Sequence, residues 1–363
     1  MQGMESPPGA ETTIDGRRYL YFAGTGYYGL HGHPEVVKAG IEALRRFGTH
    51  SATSRAGFGN NPVLHLVENR LRQFFASEDA IYLPSGYLSS LVLVQGLVDR
   101  FEDVFVDEGA HFCVFDAAFS GQRPVFRFRH LDPDDLKSQL RRHLRSRRSP
   151  LLLTDGVFPT FGKIAPLADY AEILAPYDGL IGLDDAHGAG VLGPNGRGTA
   201  EHFGLESENL YPVGTLSKAF GGHGGFVLGD RKTLERIRAV SGAYIGSTPA
   251  ATPVAAASAK GIEILSARPE MRLRLRENVA AVKKGLKKMG LPADETPVPI
   301  VAWSLRSERA MRNIHRELMS RGIAIAFLKY IGAPKAGVLR ITVFSTHTKE
   351  QIERLLSELA RLL

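Results

Sequence analysis

Lys218 is the residue around which chemistry can be assembled. It stands three residues after a short β-rich run, in Gly214-Thr215-Leu216-Ser217-Lys218-Ala219-Phe220-Gly221-Gly222, where small residues leave room for a planar ligand. A lysine so placed is a candidate Schiff-base former with a carbonyl cofactor. Pyridoxal phosphate asks three further things of a protein: an acid at the pyridine nitrogen, donors for the phosphate, and a group packed against the ring. Leu183-Asp184-Asp185-Ala186-His187-Gly188-Ala189-Gly190 closes another apolar run. Asp184 can supply the acid, keeping the ring nitrogen protonated, and His187 can reach the phenolic oxygen. Leu83-Pro84-Ser85-Gly86-Tyr87 leads from a strand into a helix. There Ser85, Gly86 and Tyr87 can offer backbone N–H groups and a hydroxyl to a phosphate, and Thr215 can add a hydroxyl. His111, in Asp107-Glu108-Gly109-Ala110-His111, can lie against the ring. All these residues fall at the carboxyl ends of expected strands, where ligands of open α/β sheets bind.

Other chemistries fit less well. Gly188, Gly190 and Gly193 match G-x-G-x-x-G after a strand, but a dinucleotide fingerprint must open a helix. Pro194-Asn195-Gly196-Arg197-Gly198 follows instead, which is turn chemistry. Asp184, Asp185 and His187 could ligate a hard metal, and His31 with His33 could form a pair, yet no third ligand stands at a metal-site spacing. No serine occupies G-x-S-x-G, so the nucleophile elbow of a hydrolase is missing. One cysteine excludes a disulfide framework and any multi-cysteine zinc or iron–sulfur site.

The elements that must position these residues can be read from the apolar runs. Ile81–Leu83, Val104–Val106, Val125–Phe128, Leu151–Thr154, Leu180–Leu183, Tyr211–Thr215 and Phe226–Leu228 are short and β-rich, as strands buried on both faces are. Most gaps between them hold a helix, for example 86–98 and 166–175. The alternation predicts an α/β fold: a mostly parallel seven-stranded sheet between helices. Residues 250–290 read as long helix, broken by the three prolines of 291–300. A small C-terminal α+β unit then follows: strand 300–304, helix 308–320, strands near 324–328 and 338–344, and a helix from Lys349. The expected division is an N-terminal segment 1–35, a large cofactor-binding domain 36–265 and a small C-terminal domain 266–363.

Taken together, the motifs resemble the α-oxoamine synthases, fold-type-I pyridoxal-phosphate enzymes that join an amino acid to an acyl thioester with loss of carbon dioxide. The resemblance rests on Asp184-Asp185-Ala186-His187-Gly188-x-Gly190 with Gly193-x-x-Gly196-Arg197-Gly198-Thr199, then Thr215-Leu216-Ser217-Lys218-Ala219-Phe220-Gly221. It extends from Asp15-Gly16-Arg17-Arg18-Tyr19-Leu20 through Tyr27-Tyr28-Gly29-Leu30, Ser247-Thr248-Pro249 and Leu339-Arg340-Ile341-Thr342. The segment after Asp-x-x-His looks most like the biotin-synthesis branch. The resemblance implies that Lys218 holds the cofactor and removes the α-proton, that Asp184 pairs with the pyridine nitrogen, and that His187 bonds the phenolic oxygen. It implies that His111 stacks on the ring, that Ser85, Gly86, Tyr87 and Thr215 cradle the phosphate, and that Arg340 takes the substrate carboxylate. Ser247 and Thr248 match a segment that reaches the phosphate from a second subunit, which implies a homodimer with shared active sites.

The chain departs from the family pattern near the substrate. Thr25 stands where the family usually has an asparagine that helps hold the carboxylate, and Pro159 replaces a serine. The stretch from Leu328 to Pro334 is not the usual approach to Arg340. The expected partners are an amino acid and an acyl thioester of coenzyme A or acyl carrier protein. Another fold-type-I reaction, an aminotransferase or lyase, and a non-catalytic partner subunit are the alternatives.

Composition is that of an ordinary globular chain: 363 residues, 44% hydrophobic and 23% charged. The turn-rich start is no signal peptide, and no apolar stretch reaches membrane-spanning length. The cytoplasm is therefore the expected compartment. The net charge of +7 gathers partly in 136–148 and 283–288. These read as solvated helix faces, or as a basic funnel for a polyanionic thioester carrier. No nucleic-acid recognition motif accompanies them.

Overall fold

A computed structural model of the chain describes residues 3–144 and 149–363. In chain order the strands are β1 (Glu11–Ile14), β2 (Arg17–Tyr21), β3 (Asp79–Leu83), β4 (Val104–Asp107), β5 (Val125–Phe128), β6 (Leu151–Asp155), β7 (Leu180–Asp184), β8 (Leu210–Thr215), β9 (Gly225–Gly229), β10 (Ile300–Trp303), β11 (Ile323–Ala324), β12 (Ala326–Leu328) and β13 (Val338–Thr342). Each of the seven apolar runs is a strand of one sheet, in the order β3-β9-β8-β7-β6-β4-β5. The pairs from β5 across to β8 are parallel; β9 runs antiparallel to both neighbours, β8 and β3.

The period-2 alternation of side chains sends successive residues to opposite faces. Val104 and Val106 pack with Val92 and Leu93 of the helix Tyr87–Leu97, whereas Phe105 between them packs with Leu136, Leu140 and Tyr170. Burial on both faces is why these strands read as unbroken apolar runs. At the sheet edge, β5 is only half buried along most of its length.

The long helix expected over 250–290 is two helices, Thr252–Ala267 and Glu270–Lys288, because Pro269 cannot continue the first. The strand expected near 324–328 is also two. β11 lies parallel to β2, while β12 pairs antiparallel with β13. β1 and β2, for which the sequence carried no strand expectation, thereby join the N-terminal segment to the C-terminal region in one small sheet.

Of the basic stretches, Lys137, Arg141 and Arg142 are exposed beside buried Leu136 and Leu140, as a solvated face requires; 145–148 lie outside the described residues. Lys283 departs from that expectation. It is buried, and its ammonium donates to Asp294 at 2.6 Å and to the carbonyl of Thr296 at 2.7 Å. No helix among the described residues is long and apolar enough to cross a membrane.

Candidate active site

Parallel strands ending side by side bring the candidate residues together. β6 and β7 end in register at Asp155 and Asp184, and β8 ends at Thr215. The Lys218 turn follows, closed by Leu216 N–H to Gly224 O and Gly222 N–H to Leu216 O. The result is a cavity of about 230 Å³. Ser85, Gly86, Tyr87, His111, Asp184, His187, Thr215 and Lys218 all line it.

Lys218 has no hydrogen-bond or ion-pair partner among the described residues. Burial pulls its pKa below that of an ordinary lysine, and the charges of Asp184 and Asp155 oppose that pull. Asp184 accepts the N–H of Ala186 at 3.1 Å and the S–H of Cys113 at 3.3 Å, and is 5% exposed. His187 is buried, and its Nδ1 lies 2.6 Å from the Tyr27 hydroxyl. Burial, then the charge of Lys218, holds its pKa well below the usual imidazole range. With Tyr27 donating to Nδ1, the neutral ring carries its proton on Nε2 and can donate to an oxygen in the cavity.

His111 caps the helix Phe112–Ser120. Its Nε2 lies 2.7 Å from the Tyr330 hydroxyl, and its Nδ1 lies 2.9 Å from Cys113 Sγ. Ser85 accepts the N–H of Tyr87 at 3.2 Å at the start of the next helix. Gly86 is required for space: a Cβ there would lie 2.6 Å from the Cβ of Thr215. The Tyr87 hydroxyl is engaged by Asp116, and the Thr215 hydroxyl lies 2.7 Å from that of Ser217.

Four predicted residues lie outside this cavity. Thr25 is half-buried on the chain leading to Tyr27. Ser247 donates to the carbonyl of Ala243, and Thr248 is exposed. Arg340 is buried, not a surface ion-pair arginine. Its Nη1 donates to Pro159 O at 2.9 Å and its Nη2 to Gly24 O at 3.1 Å, while Nε is buried without a partner. No carboxylate pairs with it among the described residues.

Sequence reasoning missed several contributors. Asp155 is buried, accepts the N–H of His111 at 2.8 Å, and has its carboxyl pushed well above the usual range by burial and then by Asp184. An acid ending a strand, as Asp184 does, was the available signal. Tyr27 stood in a segment of the family resemblance with no role attached to it, and Cys113 and Tyr330 gave no local signal of their own. Asp185 does not face the cavity chemistry. It holds both the hydroxyl and the N–H of Thr199, at 2.6 and 2.7 Å, with Gly188 and Gly198 pressed against it. The loop's glycines are thus turn positions, Gly190, Gly193, Gly196 and Gly198 all having positive φ. His31 bonds Ser217 O while His33 caps the helix Pro34–Phe47, so they form no pair. No cluster able to hold a metal occurs among the described residues.

The donor set fits pyridoxal phosphate: an unpaired buried lysine, a carboxylate, a neutral imidazole with a free N–H, and a glycine-lined turn that a Cβ would fill. The fold and this cavity define a pyridoxal-phosphate enzyme of fold type I. The aminotransferase class I and II family matches residues 22–359. The chain is 32% identical over 362 residues to 8-amino-7-oxononanoate synthase of Nitrosococcus oceani, covering 99% of this chain and 96% of that one. It is 31% identical over 354 residues to 8-amino-7-oxononanoate synthase 1 of Bacillus subtilis, covering 97% and 90%. Among solved structures, a variant of serine palmitoyltransferase from S. paucimobilis with a bound PLP–myriocin aldimine superposes with a TM-score of 0.94 at 30% identity, covering 100% of this chain and 92% of that one. The chain belongs to the α-oxoamine synthase family, whose chemistry is PLP-dependent decarboxylative condensation.

Proposed function

We propose that this enzyme condenses a small amino acid with an acyl thioester, releasing carbon dioxide and a free thiol and giving an α-amino ketone. When bound, pyridoxal phosphate supplies a ring that takes up the electron pair left at the amino acid's α-carbon. Lys218 holds the cofactor and removes the α-proton at Nζ; its lowered basicity leaves the amine available. Asp184 holds the ring N–H, and the Nε2–H of His187 holds the phenolic oxygen. His111 packs against the ring. Ser85, Gly86, Tyr87 and Thr215 receive the phosphate at the start of a helix. Arg340 and Thr25 receive the amino-acid carboxylate. The new carbon–carbon bond forms as the carbon–sulfur bond breaks and the thiol leaves; the carboxylate then departs as carbon dioxide, and a proton returns to the α-carbon to give the α-amino ketone.

The observation that carries this reading is Lys218, buried without a partner in a cavity shared with Asp184, His187 and His111. From the family resemblance of Ser247 and Thr248 we further propose a homodimer in which this segment serves the neighbouring site, with the cytoplasm as its compartment. We take 36–265 as the cofactor-binding domain and 266–363 as the small domain, with 1–35 a segment that the β2–β11 pairing ties to it.

The relatives differ in substrate. 8-Amino-7-oxononanoate carries a methyl beside its amino carbon, the remnant of alanine, and belongs to biotin synthesis; serine palmitoyltransferase is named for serine and a palmitoyl group. The test is therefore a matrix of alanine, serine and glycine against short, dicarboxylic and palmitoyl thioesters, read by carbon dioxide release and free thiol. Equal release of both in at least one cell is expected. Amino transfer to a keto acid without either product would overturn the reading.

A further inference from the structure

Tyr330 lies in the connection between β12 and β13, the stretch from Leu328 to Pro334 that departs from the family pattern. β13 carries Arg340, so this hairpin holds both residues. It is fastened at three points to the connections that follow β4 and β6. Arg340 reaches Pro159 O, Thr160 Oγ1 donates to Ile331 O, and the Tyr330 hydroxyl meets His111 Nε2 at 2.7 Å. The third contact continues inward. His111 Nδ1 lies 2.9 Å from Cys113 Sγ, and Cys113 Sγ donates to Asp184 Oδ2 at 3.3 Å. Four side chains make one unbroken row from a tyrosine 38% exposed to a carboxylate 5% exposed.

The row has a direction. An ionised carboxylate only accepts, so the thiol proton points at Asp184. In the tautomer with the proton on Nδ1, the sulfur accepts from His111 Nδ1–H and Nε2 accepts from the Tyr330 hydroxyl. Each side-chain donor of the row then has one acceptor, at the expense of the cap on the Cys113 N–H, and bonds in such a chain polarise one another. The other tautomer, with Nδ1 accepting the Cys113 backbone N–H at 3.3 Å, cuts the row at the sulfur.

We propose that Tyr330, His111 and Cys113 form a positioning relay by which the hairpin carrying Arg340 sets the hydrogen bonding of Asp184. With Arg340 on Pro159 O and Tyr330 on His111, the hairpin holds the S–H bond to Asp184 in place while Arg340 takes the amino-acid carboxylate. Tyr330 and Cys113 are positioning residues. The proposal rests on the assignment of Asp184 to the ring nitrogen.

Because the chain holds one cysteine, the loaded full-length enzyme has a single S–H stretching band in the infrared. Tyr330→Phe should move that band to higher wavenumber, and Asp184→Asn should move it further. Tyr330→Phe and Cys113→Ala should each lower kcat on the order of three- to tenfold, the scale of one hydrogen bond, with the thioester KM unchanged. Cys113→Ser, which keeps a donor, should restore kcat. A band unmoved by Tyr330→Phe selects the other tautomer and overturns the relay, as does equal kcat in Cys113→Ser and Cys113→Ala. If Asp184→Asn moves the band but leaves cofactor absorbance and turnover unchanged, the assignment of Asp184 fails while the row itself stands.

Discussion

Lys218, Asp184 and Arg340 stand in three different environments, and the proposed function gives each a different task. The amine of Lys218 is buried without an ion pair, so Lys218→Ala removes little packing. The purified variant should keep its fold by circular dichroism and lose the visible absorbance of the bound cofactor. Wild-type protein that stays colourless after incubation with pyridoxal phosphate would sink the functional reading. Asp184→Asn leaves the turn proposed for the phosphate untouched, so cofactor should still bind. Turnover should fall on the order of a hundredfold, because a neutral amide no longer stabilises a protonated ring nitrogen. Near-normal α-proton exchange in this variant would take Asp184 out of that role. Arg340 presents a fork fixed by two backbone carbonyls and no competing carboxylate. Arg340→Lys replaces the fork by a point charge. The amino-acid KM should rise on the order of tenfold or more while the thioester KM stays near its original value. Parallel changes in both would mean that the carboxylate is held elsewhere.

At the scale of elements, the turn between β3 and the helix Tyr87–Leu97 decides how closely two strand ends approach. Gly86 has φ −59, an ordinary helical value, so no strain demands glycine there. Proximity does, since an added Cβ meets Thr215 at 2.6 Å. Gly86→Ala should therefore push the turn off Thr215 and weaken cofactor retention on the order of tenfold, the scale of an overpacked contact. With saturating cofactor, kcat should recover; an unchanged dissociation constant by fluorescence titration would show that the turn does not touch the phosphate. Asp185 works at the same scale, gathering Thr199 and the glycine turns into the loop that separates β7 from β8.

For the whole molecule, the N-terminal strands and the C-terminal region are locked by His347. Its Nδ1 accepts the N–H of Phe344 at 3.0 Å, its Nε2 lies 3.0 Å from Tyr21 O, and its ring stacks on Phe22 at 3.9 Å. The two bonds together need the neutral ring, and burial lowers its pKa from 6.5 to about 4. Between those values the unfolded chain binds a proton that the folded chain does not. Stability is thus fully present above pH 6.5 and is lost as the pH falls toward 4, on the order of 3 kcal/mol. Asp185, pushed up to about 6 by burial, contributes the opposite slope, so the difference between two proteins is the clean readout. Wild type should be more stable than His347→Gln at pH 7 by urea denaturation, and the gap should close toward pH 4. A gap independent of pH would place the acid sensitivity elsewhere.

What the sequence determined by itself is local. Seven short β-rich runs became seven strands, and the motifs at their ends placed eight of the expected residues around one cavity. Both signals survive because strand burial and turn chemistry act over a few residues. Register and long-range closure were decided only by the tertiary structure. Asp155 has its carboxyl pushed up by burial and then by Asp184, which it meets because β6 lies in register beside β7, and nothing in 151–155 alone says so. Tyr27 reaches His187 across 160 positions, and Tyr330 reaches His111 across 219. Lys283 sits in a run that reads as solvated until Asp294 and Thr296 fold back over it. Contacts between residues far apart in the chain leave no period in the sequence, because the free energy that selects them arises only when the elements pack.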